Sequence, residues 1–515
     1  MMLKILAKPI ITLLLSGFCL TAYSQDYQPP VFPDENRLKK IEAAFPIIDE
    51  MFQKYAEENH FPAMVYGVVL DGELVHTFNA GIANIESEIP ATSNSAFRIA
   101  SMTKSITAMA ILKLKDEGKL RLDDPIYLYV PEMKDIDYLT KDAPDITIRH
   151  LLNHASGFPE DNAWGDRQLD SSDDELLDIY NEGLYFSSIP GTGYEYSNLG
   201  YATLGLIIKE VSGQTYQNYI KENILESLGM KNTYWEYTEV PEDQLAHGYL
   251  WEENKWVDQP YLHDGAYGAM GGMISTVEDF SKYMAFHLSA WPPRNDVEAG
   301  PLKRSSLREM HHPWNLPSAH LNAKKTSGEP CPTVSAYGYG LGWIKDCENK
   351  VTIAHSGGLP GFGSQWRILP EYGIGIVSFA NRTYANTGMA NAQALDTLFA
   401  LSDLQLRQLP PSEILKQRKE ELVEILPNWE SAQASGIFAE NFFMDNFKEE
   451  LKGEAEAAFE RAGEITNISE VIPQNQLRGN FLMEGEKANI RIHFTLTPQN
   501  PPMIQAYNLQ VLEKE

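Results

Sequence analysis

Cysteine is scarce in this chain, with 3 residues in 515. A disulfide framework cannot organise a chain of that length, so a hydrophobic core must. Positive charge is scarce too: lysine and arginine total 42 against 71 aspartates and glutamates, a net charge of −29. That surplus repels phosphate backbones and argues against nucleic-acid binding. Nothing after residue 24 is apolar for long enough to span a membrane, and there are no internal repeats or low-complexity tracts. What is present is ordinary: 43% hydrophobic and 22% charged residues, the proportions of a globular chain of a few domains.

Residues 1–24 read as a secretory signal peptide. Lys4 and Lys8 form a basic start, Pro9 to Tyr23 carry no charge, and Ala22-Tyr23-Ser24 fits a small-x-small cleavage site. The alternative is an uncleaved anchor, but the apolar run is shorter than the ~20 residues a spanning helix needs. Bulky Phe18 before Cys19 argues against a lipidation box. The expectation is therefore a periplasmic or secreted protein with no stable membrane span after signal cleavage. If Cys19 leaves with the signal, Cys331 and Cys347 remain, flanking a strand expected over 337–345. Bridging the two ends of one extended strand requires the chain to fold back. The pair is either a disulfide or two buried free thiols.

Residues 25–40 are polar and proline-rich and read as a linker. Apolar spacing predicts a helix over 41–58, and 63–86 predict a hairpin turning at Asp71-Gly72. A strong helical pattern covers 101–117 and ends at Gly118. Helical segments dominate 120–330, and Ser275 with Glu278 fits a capping box opening a helix at 276–288. Residues 291–335, rich in proline, serine and histidine, read as a long loop with one short helix. Strand signals return at 338–345, 351–355, 364–369 and 374–381. Strands at both ends of 60–400 with helices between suggest one antiparallel sheet assembled from both ends, with a helical lobe inserted. A break falls near Leu409-Pro410-Pro411-Ser412. Residues 412–515 then read as a small separate α+β accessory domain, helices first and alternating strands after.

Three short motifs carry chemistry. The first is Ser101-Met102-Thr103-Lys104, opening the 101–117 helix. Residues three apart share a helix face, so Ser Oγ and Lys Nζ can meet. Serine is a weak nucleophile until a base takes its proton. Lysine serves as that base when burial and the positive helix terminus lower its pKa. A bare Ser-x-x-Lys is expected about twice by chance in such a chain, and the plain alternative is an N-cap serine before a solvated lysine. The second is Tyr196-Ser197-Asn198, in a Gly/Pro-rich loop before an apolar helix. Tyrosine can relay a proton and asparagine can orient an amide. Tyr216-Gln217-Asn218 and Tyr384-Ala385-Asn386 share that pattern but read as structural. The third is His355-Ser356-Gly357-Gly358, ending a predicted strand. Its glycines admit a substrate backbone to the strand edge, and the Gly358 N–H can join that of Ser101 as an oxyanion hole. Alone, a satisfied core histidine before a glycine turn is the better explanation of it.

Taken together, in this order, the motifs resemble the penicillin-recognising serine hydrolases: class C β-lactamases, DD-peptidases and their esterase and D-aminopeptidase relatives. The resemblance covers about residues 40–400 and extends to LRLDDPIYLYVPE, ITIRHLLNHASGF, PGTGYEYSNLGYATLGLIIKEVSGQTY, ILESLGMKNTYW and GGMISTVED. It implies a β-lactamase/DD-peptidase-like α+β fold over 41–405. It implies a serine hydrolase working through a Ser101 acyl-enzyme, with Lys104 and Tyr196 sharing acid–base duty. Asn198, His355, Ser356 and Gly357 would flank the substrate, and the backbone N–H groups of Ser101 and Gly358 would hold the oxyanion. No cofactor and no metal is implied. One departure matters: β-lactamases of this group usually carry Lys-Thr-Gly where this chain has His-Ser-Gly, as some DD-peptidases do. Histidine is mostly neutral at pH 7, which weakens the case for efficient β-lactam hydrolysis.

Other signals are weaker. His150 and His154 have a zinc-compatible spacing but no HExxH glutamate between them. His311-His312 and His320 read as a surface loop, and Asp170 to Glu175 as the acidic cap of a helix at 174–182. The expected activity is hydrolysis of a small-molecule or short-peptide amide or ester. The alternatives are a non-catalytic peptidoglycan- or β-lactam-binding protein and a weak β-lactamase.

Overall fold

In the computed structural model, residues 27–514 are described, so the signal sequence expected over 1–24 lies outside them. The described residues divide into two compact units, one spanning Pro30–Gln408 and one built from residues 409–514 with residues 27–29. No helix among the described residues is long and apolar enough to cross a membrane.

The first unit opens with α1 (Arg37–Glu42) and α2 (Phe45–Glu58), where one helix was expected over 41–58. Pro46 at the second helical position explains the break: proline lacks an N–H and suits the first turn of a new helix. The stretch read as a linker over 25–40 is partly structured. Val31 bridges Gln408, and the buried Arg37 pairs with Asp71 at 3.1 Å and donates to the Tyr372 carbonyl.

The sheet has nine strands: β1 (Ala63–Leu70), β2 (Glu73–Asn84), β3 (Ile89–Pro90), β4 (Asn315–His320), β5 (Thr333–Tyr337), β6 (Gly342–Lys345), β7 (Val351–Leu359), β8 (Phe362–Leu369) and β9 (Ile374–Ala380). Their order is β3-β2-β1-β9-β8-β7-β6-β5-β4, with antiparallel pairing throughout. Strands from both ends of the unit thus meet at β1–β9, and the helical lobe is the long excursion between β3 and β4. One face of the sheet is covered by α2 and α6 (Thr387–Ser402). The other packs against the lobe, including α3 (Thr103–Asp116), α4 (Asn198–Ser212) and α5 (Val277–Ser289). α3 is buried from Thr103 to Leu112, the polar Thr103, Lys104, Ser105 and Thr107 included. On α5, Phe280 and Tyr283 pack edge-on against Trp366 of β8.

Several local expectations shift. The capping residue of α5 is Thr276, accepting from Asp279 N–H at 3.1 Å, one position beyond the expected Ser275, which is drawn into a short strand against Phe97. The strand expected over 337–345 is a hairpin, β5 and β6, turning between Tyr337 and Gly342. That turn is the fold-back a bridge requires, and Cys331 and Cys347 form a disulfide with Cα atoms 5.2 Å apart. The loop expected over 291–335 contains β4 as an edge strand, which alternation did not reveal because Pro317 and a bulge interrupt it.

The second unit carries α7 (Glu413–Ile425) and α8 (Lys448–Ala462), then β10 (Ile465–Ile468), β11 (Ile472–Asn475), β12 (Arg478–Gly485), β13 (Ala488–Leu496) and β14 (Ile504–Glu513). The strands form an antiparallel sheet in the order β10-β12-β13-β14, with β11 also on β12. Alternate residues of β12 and β13, among them Phe481, Met483, Ile490, Ile492 and Phe494, face a core shared with Trp429.

Candidate active site

Ser101 sits on a single helical turn, Ala100–Met102, directly ahead of α3. Ala100 takes φ +50, a conformation that costs a non-glycine residue energy and is over-represented at functional sites. The sheet fixes this turn. Ser364 Oγ of β8 donates to the Ile99 carbonyl at 2.7 Å, and the same carbonyl lies where a Cβ on Gly357 would be, so only glycine fits there.

One turn along, Lys104 is fully buried. Its Nζ donates to Asn198 Oδ1 at 2.6 Å and the Met270 carbonyl at 2.9 Å, and lies 3.0 Å from Ser101 Oγ. Burial lowers the Lys104 pKa to about 7, against the opposing pull of Asp166 and Asp161. The partner set is informative. Two of the three can only accept, so a neutral amine satisfies them with its two N–H groups and keeps its lone pair toward the Ser101 hydroxyl. The arrangement accommodates a neutral lysine poised as a base.

Asn198 begins α4. Ser197 caps that helix, and Asp161 accepts from Asn198 N–H at 2.6 Å and Leu199 N–H at 2.9 Å, fixing the asparagine beside Lys104. Tyr196 places its ring 4.9 Å from Lys104 Nζ. Burial raises its pKa well above the ordinary tyrosine value, while the Ser101 side chain pulls it down. His355, Ser356, Gly357 and Gly358 all lie within β7, which runs on to Leu359 instead of ending at His355 as the sequence suggested. From Gly342↔Ala354 onward β6 has diverged, while β8 continues alongside as far as Leu359↔Phe362. The motif therefore presents one unpaired strand edge. His355 Nδ1 lies 2.6 Å from the Ser356 carbonyl, so that nitrogen bears the proton and Nε2 accepts the Tyr337 hydroxyl at 2.9 Å. Burial, reinforced by Lys104, drives its pKa to about 3, so it is neutral at physiological pH.

Ser101, Tyr196, His355, Ser356, Gly357 and Gly358 line one cleft of about 850 Å³, with Lys104 and Asn198 behind its wall. Sequence reasoning missed other members. Tyr384, read as structural, lines the cleft with its ring against the Cβ position of Gly358 and donates to Asp166 Oδ2 at 3.2 Å. Its Tyr-x-Asn pattern and its place just after the last strand were the available signals. Asp166 also lines the cleft, and nothing in its local sequence marks it. The two lobe histidines separate: His150 completes the capping box of a short helix at Ile148–Leu152, while buried His154 accepts from Ser197 N–H at 3.1 Å and packs 4.3 Å from Tyr196. Of the residues read as a surface loop, His311 is buried against His287 and His320 lies on β4 at the cleft.

An antiparallel sheet with an inserted helical lobe, a serine–lysine pair at the head of the buried helix and an open strand edge opposite it define the β-lactamase and penicillin-binding-protein class of fold. The Beta-lactamase family model matches residues 48–400, and the chain belongs to that family. Among curated relatives, Protein flp of Staphylococcus aureus (strain MW2) is 30% identical over 342 residues, 65% of this chain and 62% of that protein. Beta-lactamase-like protein 2 of Dictyostelium discoideum is 29% identical over 368 residues, 68% of this chain and 62% of that protein. The match thus spans less than two thirds of these relatives' length. Among solved structures, the octameric penicillin-binding protein homologue from Pyrococcus abyssi aligns over 92% of this chain and 96% of its own, with TM-score 0.59 and 21% identity. A class C beta-lactamase aligns over 72% and 98%, with TM-score 0.54 and 20% identity. At that identity the structural likeness is one of fold.

Proposed function

We propose that this protein is an exported serine hydrolase that forms an acyl-enzyme at Ser101 on small amide or ester substrates, short peptides included. The observation that carries the reading is Ser101 Oγ lying 3.0 Å from a buried amine whose pKa is lowered to about 7. Neutral Lys104 takes the serine proton as Oγ attacks the carbonyl carbon. Tyr196, whose phenol burial keeps protonated, is the poorer first base and the better relay of that proton to the leaving group. The N–H groups of Ser101 and Gly358 receive the oxyanion, and His355, Ser356 and Gly357 flank the substrate along the β7 edge. Asn198, expected to flank the substrate, is instead buried behind the cleft wall, where its Oδ1 accepts from Lys104 and orients the amine. Water then attacks the acyl-enzyme, regenerating Ser101 and releasing the acid. Because His355 is neutral, a substrate carboxylate finds no lysine charge at the third motif, so β-lactams turn over slowly. Export through the 1–24 leader agrees with the Cys331–Cys347 disulfide, which suits an oxidising compartment.

Labelling tests this. A fluorescent fluorophosphonate or penicillin is expected to label the wild type and not Ser101→Ala. Folded protein that takes neither probe overturns the hydrolase reading. Labelling without turnover of any ester or peptide favours a binding role.

A further inference from the structure

The cleft is lined by one buried carboxylate, Asp166, which the mechanism above does not use. The guanidinium that shares the cleft, Arg367, already donates to Gln365 Oε1 at 3.1 Å and the Gly388 carbonyl at 2.9 Å. Asp166 differs. It is 4% exposed, its hydrogen-bond donors are the neutral Asn198 Nδ2 at 3.4 Å and Tyr384 hydroxyl at 3.2 Å, and no ion pair to it occurs among the described residues. A carboxylate offers about four acceptor sites, so two long neutral contacts leave it undersatisfied. Burial accordingly raises its pKa to about 6, even with Lys104 pulling the other way.

Its surroundings suit a cation. Tyr194, Tyr196 and Tyr384 line the same space. Aromatic faces beside a carboxylate are the combination that recognises an ammonium group. Tyr384 holds φ +51, a costly conformation for a bulky residue, and so brings its hydroxyl to Asp166 while its ring rests on Gly358. On the other side, Asn198 connects Asp166 to Lys104, itself 3.0 Å from Ser101 Oγ. The carboxylate therefore stands beside both walls that would hold a scissile carbonyl. The chain's charge of −29 adds a long-range attraction for cations.

We propose that Asp166 is a specificity residue whose carboxylate, among Tyr194, Tyr196 and Tyr384, takes the ammonium of a substrate carrying a free amine next to its scissile carbonyl. This rests on the serine hydrolase reading of the cleft and narrows it to α-amino esters or amides. The full chain is assayed on the benzyl esters of alanine and N-acetylalanine. The wild type is expected to prefer the free amine by about tenfold or more in kcat/KM, and Asp166→Asn to remove the preference through KM. Equal kcat/KM for the two esters in the wild type, or a parallel fall on both in the variant, overturns the proposal. A second arm needs no turnover: calorimetric binding of alaninamide and N-acetylalaninamide to Ser101→Ala. The free amine is expected to bind about tenfold tighter, with the difference lost on adding Asp166→Asn. No difference between the two amides overturns the proposal without reference to any Asp166 variant. If the wild type hydrolyses neither ester and takes no fluorophosphonate while the binding difference holds, the hydrolase reading fails and the amine site stands.

Discussion

Lys104 is the side chain on which the site's chemistry turns, and its surroundings make a pH prediction. Burial lowers its pKa to about 7, so the neutral, basic form grows as pH rises through that value. The rate of Ser101 labelling by a fluorophosphonate is expected to climb from about pH 6 to pH 8 and then level off. A profile flat across that range sinks Lys104 as the base. Lys104→Ala is expected to slow labelling by about a hundredfold or more while the protein stays folded. Ser101, Lys104, Tyr196, Asn198 and His355 were legible because each belongs to a short motif whose spacing has a local meaning. Asp166 and Tyr384 were not, because an isolated acid and a tyrosine after a strand say nothing about which cavity they line. Tyr384 shows the limit well, since its triplet was noticed and set aside on local grounds that the packing overrode.

Between α5 and the short helix Arg304–Met310, packing creates a buried imidazole pair. Trp291 Nε1 donates to His311 Nδ1 at 3.0 Å, so the remaining His311 proton is on Nε2 and points to His287 Nδ1 at 2.8 Å. Burial lowers the His311 pKa to about 3 and that of His287 well below its ordinary value. Unfolding lets both take up protons below about pH 6.5. Their contribution to stability is therefore complete above that pH and lost progressively as pH falls toward the folded values. For His311 the loss is roughly 2 kcal/mol by pH 5, and His287 adds to it in the same direction. Thermal melts at pH 7 and pH 5 check this: His311→Gln, which can still accept from Trp291 and donate to His287, should narrow the drop in Tm, and an equal drop in both proteins refutes the assignment. Elements with strong local signals were readable from their sequences, such as α3, which stops ahead of Gly118, and the β1–β2 hairpin, which turns at Asp71-Gly72. The β5–β6 hairpin and the edge strand β4 were not. Their turns and bulge are set by which strands pair, and pairing is a long-range matter.

Across the whole chain, the two units have separate cores. The buried hydrophobic core residues of one fall between Ile41 and Leu404, those of the other between Leu415 and Ile504. A chain ending at Gln408 is therefore expected to fold and to keep fluorophosphonate labelling of Ser101, measured against the full chain by circular dichroism and gel fluorescence. Loss of the fold on truncation contradicts the independence of the cores. Local physics settles the helix that Ser101 opens, the three-residue spacing that puts Lys104 on its face, the strands near both ends of the unit and the acid surplus, because each depends on neighbouring residues or on composition. The long-range packing settles the rest. It buries Lys104 and His355 and so sets their charge, folds 331–347 back until two cysteines meet, and gathers Asp166 and Tyr384 from positions 218 apart. A pKa and a cleft are properties of what surrounds a residue, and surroundings come from contacts distant in the chain.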